Sequence, residues 1–451
     1  MAAGKGTRMK SALPKVLHKL AGRALLRHVV DMSARLRPRL SIVVTGHGAD
    51  DVEASLSDTA ALFVRQMPQM GTGHAVQQTV PVLDAANSIT LILYGDVPLI
   101  SEGSARALQA ACAGTQLALL SFVPLDAARY GRIVRNAAGA VQAIVEYKDA
   151  SAEQRAIGEV YSGIMAAPTA MLKRWVMALK DDNAQHEFYL TDVVAMAVAE
   201  GVPVVAQVTP DEFEVAGVND ALQLVGLERE FQRRQAHALL EQGVRLADPA
   251  RFDQRGALHC GSDVEIDVGC IFEGDVFLAD GARVGAHCVL RDARVEAGAV
   301  IHPFTHIEGA TVGAGALIGP FARLRPGTEL GAGVHIGNFV EVKNSTLAAG
   351  AKANHLAYLG DATVGERVNF GAGSITANYD GANKHRTIIG NDVHVGSNCV
   401  LVAPVTLGDG ATIGGGSTVA KNAPAGQLTV ARARQVTLQG WTRPKKAQRP
   451  G

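Results

Sequence analysis

Several features are scarce in this 451-residue chain, and each scarcity excludes a class of protein. Its five cysteines are odd in number and form no CxxC pair, which excludes a disulfide-built fold and a cysteine zinc site. The 43 basic residues are balanced by 43 acidic ones, which argues against a surface dedicated to nucleic acid or anionic membrane. No apolar run approaches the ~20 residues that span a bilayer, and no basic-then-apolar leader opens the chain. We therefore expect a cytoplasmic protein that acts on small molecules, without a nucleic-acid or membrane partner.

Aromatic residues are also few, at 5%, so small and aliphatic side chains must fill the cores. Glycine, in contrast, is unevenly distributed, because 33 of the 49 glycines lie in residues 221–451. This asymmetry indicates two halves with different architectures.

The first half alternates short apolar runs with helical patterns. Such an alternation is typical of an α/β domain, here over residues 1–218, with a mostly parallel sheet covered by helices on both faces. Ligands of these domains bind beyond the carboxyl ends of the strands. The runs predict buried strands at 41–45, 62–66, 89–94 and 116–123, with helices between them, for example at 74–83 and 104–113.

One long helical pattern then occupies residues 219–246. Its apolar residues recur at steps of three and four, and Gly243 is a plausible stop signal. We interpret this segment as a helix that links two domains, and an ordinary helix of the first domain is the alternative.

The second half is periodic with a step of six residues. Apolar residues recur at this step in three runs, Ile266–Leu290, Val312–Val342 and Ile389–Val419, and small residues often follow them. The step fits neither a helix nor simple strand alternation, but it fits a parallel β-helix of hexapeptide repeats over residues 247–426. The frame slips near 295–307 and 345–359, where we expect loops or bulges. Residues 427–451 then form a tail with six basic residues and no acidic one.

Four features of the first half suit phosphate chemistry. The glycine-rich, cationic opening Ala2–Arg8 could hold phosphates through backbone N–H groups, although it matches neither the Rossmann nor the Walker pattern. Pro14-Lys15 adds a second cation, and Gly71-Thr72-Gly73 is a tight turn before a helix. Asp96 closes the strongest strand candidate, where it is either a catalytic carboxylate or a turn residue.

Taken together, AAGKGTRM, PKVL, GTGHA, YGDVPL, YGRIV and VEYKDA resemble, in this order, the sugar-nucleotidyltransferase family. With the hexapeptide half, the resemblance extends along nearly the whole chain to bacterial bifunctional enzymes of UDP-N-acetylglucosamine synthesis. It implies a Rossmann-like uridyltransferase domain that uses UTP and Mg²⁺. It also implies a left-handed β-helix that uses acetyl-CoA, assembles as a homotrimer and forms its acetyl-transfer site between subunits.

The resemblance assigns roles in the first half residue by residue. Arg8 and Lys15 would bind the UTP phosphates, and Asp96 and Asn219 would ligate Mg²⁺. Cations and a metal are expected here because the reaction joins two polyanions. The other contacts with UTP or UDP-N-acetylglucosamine would come from Gln66, Gly71, Thr72, Tyr94, Gly131, Glu146, Tyr161 and, again, Asn219.

Two positions depart from the family pattern. Tyr161 stands where relatives commonly have Asn, which puts one sugar contact in question. The glycine-rich loop begins at Met1, whereas in relatives an apolar, central strand precedes it. We expect a start about ten residues further upstream; intact mass of the natural protein would test this, and the first activity should be impaired if Met1 is the true start.

For the second half, the resemblance makes His355, within HLAYLGD, the general base of acetyl transfer. A histidine has its pKa near the working pH, as a base requires, although a lone loop histidine is more often a surface residue. Glu341 would orient it. Glucosamine-1-phosphate would be bound by Arg325, Lys343, Tyr358, Asn369 and Asn378, and acetyl-CoA by Ala372, Tyr379, Ser397, Gly415 and Arg432.

Two other hypotheses use the same residues differently. In one, the β-helix is only a trimerisation scaffold for a monofunctional nucleotidyltransferase, although a scaffold does not require the Arg325, Lys343 and His355 cluster. In the other, the second half is a metal-dependent lyase like a carbonic anhydrase. That chemistry needs three converging histidines, and the candidates are His302, His306, His335 and His355.

Overall fold

A computed structural model describes residues 1–127 and 130–446. The chain divides into two compact units, Met1–Arg234 and Gln235–Gly451, with the boundary inside the helix Ala221–Glu241. No helix among the described residues is long and apolar enough to cross a membrane. The last five residues of the basic tail, and residues 128–129, lie outside the described part of the chain.

The described residues from Met1 to Glu241 form ten strands and eight helices, with short 3₁₀ turns, and the eighth helix crosses the boundary between the two units. The strands are β1 (Lys19–Leu20), β2 (Arg23–Ala24), β3 (Ile42–Thr45), β4 (Leu62–Arg65), β5 (Ile89–Ile92), β6 (Leu117–Phe122), β7 (Arg132–Arg135), β8 (Val141–Val145), β9 (Val160–Pro168) and β10 (Val204–Val208). The helices are α1 (Leu25–Arg35), α2 (Ala49–Ala54), α3 (Thr72–Gln77), α4 (Glu102–Cys112), α5 (Ala152–Arg155), α6 (Thr169–Met177), α7 (Asp192–Ala199) and α8 (Ala221–Glu241).

The predicted alternation of strands and helices is confirmed, but the sheet is mixed. β9 runs antiparallel to both β5 and β6, while β10 runs parallel to β6. A hairpin of β7 and β8 extends the same six-stranded sheet. β9 was not among the predicted strands, and its insertion between two parallel strands is what makes the sheet mixed. Trp175 of α6 is fully buried against the sheet, in one of its two larger apolar clusters.

β3 and β4 form a separate two-stranded parallel sheet in the described chain. Residues Met1–Ala3 lie between it and the end of β5. The Ala2 N–H donates to the Val44 carbonyl oxygen at 2.8 Å, and the Gly95 N–H donates to the Met1 carbonyl oxygen at 2.9 Å. The first residues of the chain therefore hydrogen-bond both to β3 and to the segment that follows β5.

The linking helix is shorter than predicted. α8 ends at Glu241, Gly243 follows with φ +90°, and the strand Arg245–Leu246 already belongs to the β-helix. Gly243 ends the helix, as the predicted stop signal indicates, and the last residues of the predicted linker 219–246 already form a strand, because the left-handed glycine turns the chain into the first coil.

The second unit is a left-handed parallel β-helix whose six-residue frame carries the core. Its inward-facing apolar residues, including Ile266, Leu290 and Ile336, are buried in one continuous cluster. One sheet consists of Arg245–Leu246, Glu265–Ile266, Arg283–Val284, Val300–Ile301, Leu317–Ile318, His335–Asn338, Lys352–His355, Asn369–Phe370, His394–Val395, Thr412–Ile413 and Leu428–Thr429. The other strands stack as Phe252–Cys260, Cys270–Leu278, Val289–Arg291, Arg294–Val295, His306–Glu308, Ala310–Val312, Arg323–Leu324, Thr328–Leu330, Glu341–Lys343, Thr346–Leu347, Tyr358–Gly360, Ala362–Val364, Ile375–Ala377, Thr387–Ile389, Val400–Val402, Val405–Leu407 and Thr418–Val419.

The frame slips are not loops, which corrects the sequence interpretation. Arg294 pairs with Phe277 and Thr346 pairs with Glu329, so these coils take 17 residues where others take 18. Each slip removes one residue from a corner, and Val295 and Leu347 still face inward. The protruding segment lies elsewhere: Thr387 pairs with Ala362, 25 residues earlier, so one coil carries an insertion around 378–386.

Corners of the coils come so close that a side chain would not fit. A Cβ added at Gly337 would lie 2.0 Å from the Asn354 carbonyl oxygen on the next coil. This close approach explains the small residues in the hexapeptide pattern.

Candidate active sites

In the first unit, four predicted residues converge beyond the carboxyl end of β5. The Lys15 ammonium pairs with the Asp96 carboxylate and lies 3.4 Å from Asn219 Oδ1, and Arg8 Nη2 donates to the same oxygen at 2.8 Å. Lys15 and Asp96 are only 15% exposed. Two cations, one carboxylate and one amide oxygen thus share one small, partly buried region, where a polyanion and a hard cation could be held together.

A second group of predicted residues forms the wall between β4 and α3. Gln66 Nε2 donates to the Gly71 carbonyl oxygen at 2.9 Å, and Thr72 Oγ1 accepts from the Leu190 N–H at 3.0 Å. Gly71 has φ +104°, and a Cβ there would lie 2.7 Å from the Phe188 carbonyl oxygen, so the turn requires glycine. These contacts fix a set of amide and hydroxyl groups that could read a base edge.

The third group surrounds Tyr94 and Glu146. Burial raises the pKa of both side chains, and Tyr94 hydrogen-bonds Thr72, which connects this group to the previous one. The Glu146 carboxylate accepts from Thr191 Oγ1 at 3.1 Å. Gly131 has no side chain to fill the space beside Glu146, and its carbonyl oxygen accepts a hydrogen bond from the Tyr161 N–H at 2.8 Å. The arrangement offers a buried acceptor for a neutral, hydroxyl-rich ligand.

Tyr161, the departure from the family pattern, is buried beside Tyr94 and Glu146. Its hydroxyl donates to the Gly163 carbonyl oxygen at 2.6 Å, so this polar group is already occupied by the backbone. Thr191 was missed by the sequence analysis, and the signal would have been its position directly before α7.

In the second unit, the predicted cations Arg325 and Lys343 lie at the ends of two strands that are neighbours in the stack, Arg323–Leu324 and Glu341–Lys343. Arg325 Nη1 donates to Glu341 Oε1 at 2.8 Å, and Arg325 also lies close to Tyr358. The nearby Lys384 ammonium lowers the pKa of Lys343. Lys384, which the sequence analysis missed, is carried by the insertion after Ala377. Crowded cations of this kind create a positive potential that attracts anions.

Asp361 organises the polar residues around that cluster. Its carboxylate accepts from the side-chain amides of Asn344 and Asn378, and its N–H donates to the Lys343 carbonyl oxygen at 3.1 Å. Only Asn378 of these partners was predicted as a ligand contact. Asp361 therefore holds Asn378 and Lys343 in register across the coils.

The neighbour of His355 differs from the one predicted. His355 Nδ1 lies 3.1 Å from Asn338 Oδ1, on the preceding coil, whereas Glu341 is engaged by Arg325. Glu341 follows three residues after Asn338, at the start of the next strand, so it belongs to a different face. The observed contact of His355 is therefore with Asn338, and the orienting role of Glu341 stays a prediction.

His355 stands in a column of corner residues that also contains most of the predicted acetyl-CoA set. Backbone hydrogen bonds connect neighbouring coils along this column. The N–H groups of Gly373, Asn398 and Gly416 donate to the carbonyl oxygens of His355, Ala372 and Ser397, respectively. Arg432 Nη1 then donates to the Gly415 carbonyl oxygen at 2.7 Å. The column thus aligns His355, Ala372, Ser397, Gly415 and Arg432 along one edge.

Two other predicted residues lie outside the column. Tyr379 is in the insertion, where its hydroxyl donates to the Gly381 carbonyl oxygen at 2.6 Å. Asn369 follows Lys352 in the stack of the other sheet, and its Nδ2 lies 3.3 Å from His394 Nε2. The Tyr379 backbone forms a bridge with Lys384, so the insertion places Tyr379 next to one cation of the cluster.

The structure does not support the hypothesis of a metal-dependent lyase. No group of three or more His, Cys, Asp or Glu side chains able to hold a metal occurs among the described residues. His302 and His355 lie near His335, but the three do not converge on one point as zinc ligands must.

The fold and the two sites define a two-domain transferase, a nucleotidyltransferase followed by a hexapeptide-repeat transferase. Comparison with family models agrees: residues 1–161 match the MobA-like NTP transferase domain, and residues 309–344 and 386–421 match the bacterial transferase hexapeptide repeats.

Relatives match over nearly the whole length of the chain. The chain is 71% identical to the bifunctional protein GlmU of Methylibium petroleiphilum, with 99% of the chain and 98% of the relative covered. It is 64% identical to that of Paracidovorax citrulli and 57% identical to that of Bordetella parapertussis, each with 99% of the chain and 98% of the relative covered. The chain belongs to the family of bifunctional GlmU proteins. It is accordingly a bifunctional enzyme with uridyltransferase and acetyltransferase activities, and the scaffold hypothesis is not favoured.

Proposed function

We propose that the second unit acetylates glucosamine-1-phosphate from acetyl-CoA, and that the first unit then transfers UMP from UTP to the N-acetylglucosamine-1-phosphate. The observation that carries the proposal is the separation of two chemically different sites on two units. One site has two cations, a carboxylate and an amide oxygen in one partly buried region, and the other unit carries a histidine and a separate cluster of cations on its β-helix. The product, UDP-N-acetylglucosamine, would supply peptidoglycan and lipopolysaccharide synthesis.

In the uridyltransferase site, Arg8 and Lys15 would neutralise the UTP phosphates. The attacking sugar phosphate is already ionised, so the chain needs to orient it rather than to remove a proton. Gln66, Gly71 and Thr72 would hold the uracil, and Glu146, Gly131 and Tyr94 the sugar. Tyr161 would contribute ring surface, because its hydroxyl is engaged by Gly163.

The donor set at this site fits Mg²⁺. Asp96 and Asn219 offer two hard oxygen atoms, and one Lys15 ammonium contacts both side chains. Mg²⁺ is usually held by one or two protein oxygens together with substrate phosphates and water, so a larger acidic cluster is not required. When bound, the ion would neutralise charge on the triphosphate as the phosphoryl bond breaks. Lys15 would then exchange its carboxylate partner for phosphate.

In the acetyltransferase site, the Asn338 contact supports His355 as the base. With Asn338 Oδ1 as acceptor, Nδ1 carries the proton, so the Nε2 lone pair remains free. Nε2 would take a proton from the substrate amine as its nitrogen attacks the thioester carbon. The carbon–sulfur bond then breaks, and coenzyme A leaves as its thiol after protonation.

The substrates would be held on either side of His355. Arg325, Lys343 and Lys384 would bind the sugar phosphate, with Asn378 and Tyr358 on the sugar and Asn369 close by. Acetyl-CoA would lie along the corner column, with Arg432 toward its phosphates and Tyr379 reaching over from the insertion. Acetylation would come first, since the first unit would recognise the acetylated sugar. Because UTP and acetyl-CoA are cytoplasmic metabolites, we place the enzyme there.

An exposed aromatic ladder supports assembly through the β-helix. His287, Phe304, Phe321 and Phe339 stack on successive coils, with ring centroids 5.0 to 5.5 Å apart. The three phenylalanines are 51%, 48% and 55% exposed, and Leu356, next to His355, continues the stripe at 64%. A contiguous exposed apolar stripe of this kind is typical of an interaction surface. We propose that it is buried in a homotrimer, which would bring a neighbouring subunit next to His355.

Placing charged side chains on the aromatic ladder should therefore weaken trimer assembly and lower the rate of acetyl transfer. The double substitution Phe321→Asp and Phe339→Asp is expected to convert the trimer to monomers and to lower acetyl transfer at least ~10-fold, because two carboxylates would have to be desolvated per subunit interface. Sedimentation and thiol release measure the two effects. Val208→Asp, on an exposed residue of the first unit, is the matched control. A stable trimer in the double variant would contradict the proposed interface.

A further inference from the structure

The insertion in the β-helix is a β-hairpin. The His385 N–H donates to the Asn378 carbonyl oxygen at 2.8 Å, and Tyr379 and Lys384 form the next antiparallel bridge. At the tip, the Asp380 carboxylate accepts two backbone N–H groups, at 2.8 and 2.7 Å. These bonds make the hairpin a unit of its own, so the place of Lys384 depends on how the base of the hairpin is held.

Asp361 contacts both ends of this hairpin. Its carboxylate accepts from the Asn378 side-chain amide at the first end, and its carbonyl oxygen accepts from the Thr387 N–H, just past the second end, at 3.1 Å. The same carboxylate accepts from the side-chain amide of Asn344, on the preceding coil. Asp361 is only 8% exposed, and a buried carboxylate with fixed donors forms a stiff connection. One residue therefore ties the base of the hairpin to the coil before it.

The rest of the hairpin is weakly held. Residues 379–384 are exposed to solvent. The contact from Arg386 Nη2 to the Asn344 carbonyl oxygen is long, at 3.4 Å, and a hydrogen bond of that length is weak. We therefore expect the position of the hairpin to depend mainly on Asp361.

The hairpin also has to be held against electrostatic repulsion. The Lys384 ammonium lowers the pKa of Lys343, Arg325 adds to this effect, and the Asp361 carboxylate opposes it. Repulsion among the three cations favours an outward movement of the exposed hairpin. A firm anchor at Asp361 offsets the repulsion before any phosphate arrives, so that less ordering is left for the binding step.

We propose that Asp361 is a positioning residue of the acetyltransferase site, which fixes the hairpin so that Lys384 stays beside Lys343 to bind the sugar phosphate. The inference rests on the proposed acetylation of glucosamine-1-phosphate. Asp361 acts through the hairpin, because its carboxylate is engaged by two side-chain amides. Its loss should therefore weaken phosphate binding rather than slow the chemistry at His355.

The test is a double-mutant cycle between Asp361→Asn and Lys384→Ala in the full chain. Asparagine keeps the shape of the side chain and tolerates the left-handed corner, at φ +49°, but it carries no charge and accepts through one oxygen only. Asp392→Asn is the matched control, because Asp392 occupies another left-handed corner, at φ +56°, and pairs with Arg367 on the surface. Thiol release gives kcat and the KM for glucosamine-1-phosphate. Mass spectrometry follows hydrogen exchange over residues 378–387 without substrate.

Asp361→Asn is expected to raise the KM for glucosamine-1-phosphate ~10-fold or more, with kcat within about three-fold, because charge-assisted hydrogen bonds are lost. Exchange over the hairpin should become at least ~10-fold faster. In the Lys384→Ala background, the same substitution should raise KM less than about two-fold, since the hairpin no longer carries the cation. The control should change neither KM nor exchange.

Additive increases of KM in the cycle, an unchanged KM, or unchanged exchange in Asp361→Asn would overturn the proposal. Asn378→Ala removes the hairpin side of the same contact and should speed exchange likewise, which covers the case that Asp361→Asn does not fold. Because the exchange experiment needs no substrate, the two proposals can fail separately. Faster exchange in Asp361→Asn together with no thiol release from the original chain would contradict acetyl transfer and support the anchor.

Discussion

His355→Ala should abolish acetyl transfer while leaving uridylyl transfer intact. A positioned general base contributes roughly 10²–10⁴-fold to kcat, and the loss should fall in this range. Free-thiol release from acetyl-CoA in the presence of glucosamine-1-phosphate measures it. Pyrophosphate release from UTP and N-acetylglucosamine-1-phosphate should stay within about two-fold of the original chain, because His355 lies in the other unit.

The matched control for this substitution is His259→Ala. His259 is an exposed histidine of the same β-helix, on the strand Phe252–Cys260, where its Nε2 lies 3.4 Å from the Asp275 carboxylate. Its loss should change neither activity measurably. Asn338→Ala adds a positioning test: it should lower kcat less than His355→Ala, because Nδ1 loses its acceptor while the imidazole itself remains. Normal thiol release from His355→Ala would remove the proposed base.

Asp96→Asn should have the second large effect, on the opposite activity. It removes the negative charge that pairs with Lys15 and that is proposed to bind Mg²⁺. Losing one such electrostatic group costs about 10²–10³-fold in kcat, and a higher Mg²⁺ requirement should accompany the loss. Pyrophosphate release measured across a Mg²⁺ titration gives both numbers.

Asp58→Asn is the control for the change of charge. Asp58 is a surface partner of Arg27 at 2.8 Å, so its removal is expected to cost little. Thiol release should be unchanged in both variants, and chelation with EDTA should stop only uridylyl transfer in the original chain. Unaltered pyrophosphate release by Asp96→Asn would exclude this carboxylate from the site.

Periodicity and strand patterning predicted much of this fold. The six-residue step identified the β-helix because inward residues must repeat with its geometry, and the apolar runs located β3, β4, β5 and β6. The pattern could not distinguish a 17-residue coil from a loop, since both shift the frame by one. It also missed the antiparallel insertion of β9, whose direction depends on tertiary pairing rather than on local sequence.

The candidate sites likewise contain residues that the sequence predicted and others that depend on tertiary contacts. Residues such as Lys15, Asp96 and Asn219, up to 204 positions apart, could be grouped by resemblance and were found in contact. Residues that come next to the predicted ones only in the folded chain were missed. Asn338 reaches His355 only because adjacent coils place the two residues in register, and Lys384 reaches Lys343 only through the insertion.

The most direct test of the account mixes the two inactive variants. The His355→Ala and Asp96→Asn chains are prepared separately and supplied with glucosamine-1-phosphate, acetyl-CoA, UTP and Mg²⁺, and UDP-N-acetylglucosamine is measured by chromatography. We expect almost no product from either variant alone and substantial synthesis from the mixture, because the acetylated intermediate made by one can diffuse to the other. Product from either variant alone at the original rate, or none from a mixture whose chains remain folded, would contradict the assignment of the two reactions to two separate sites.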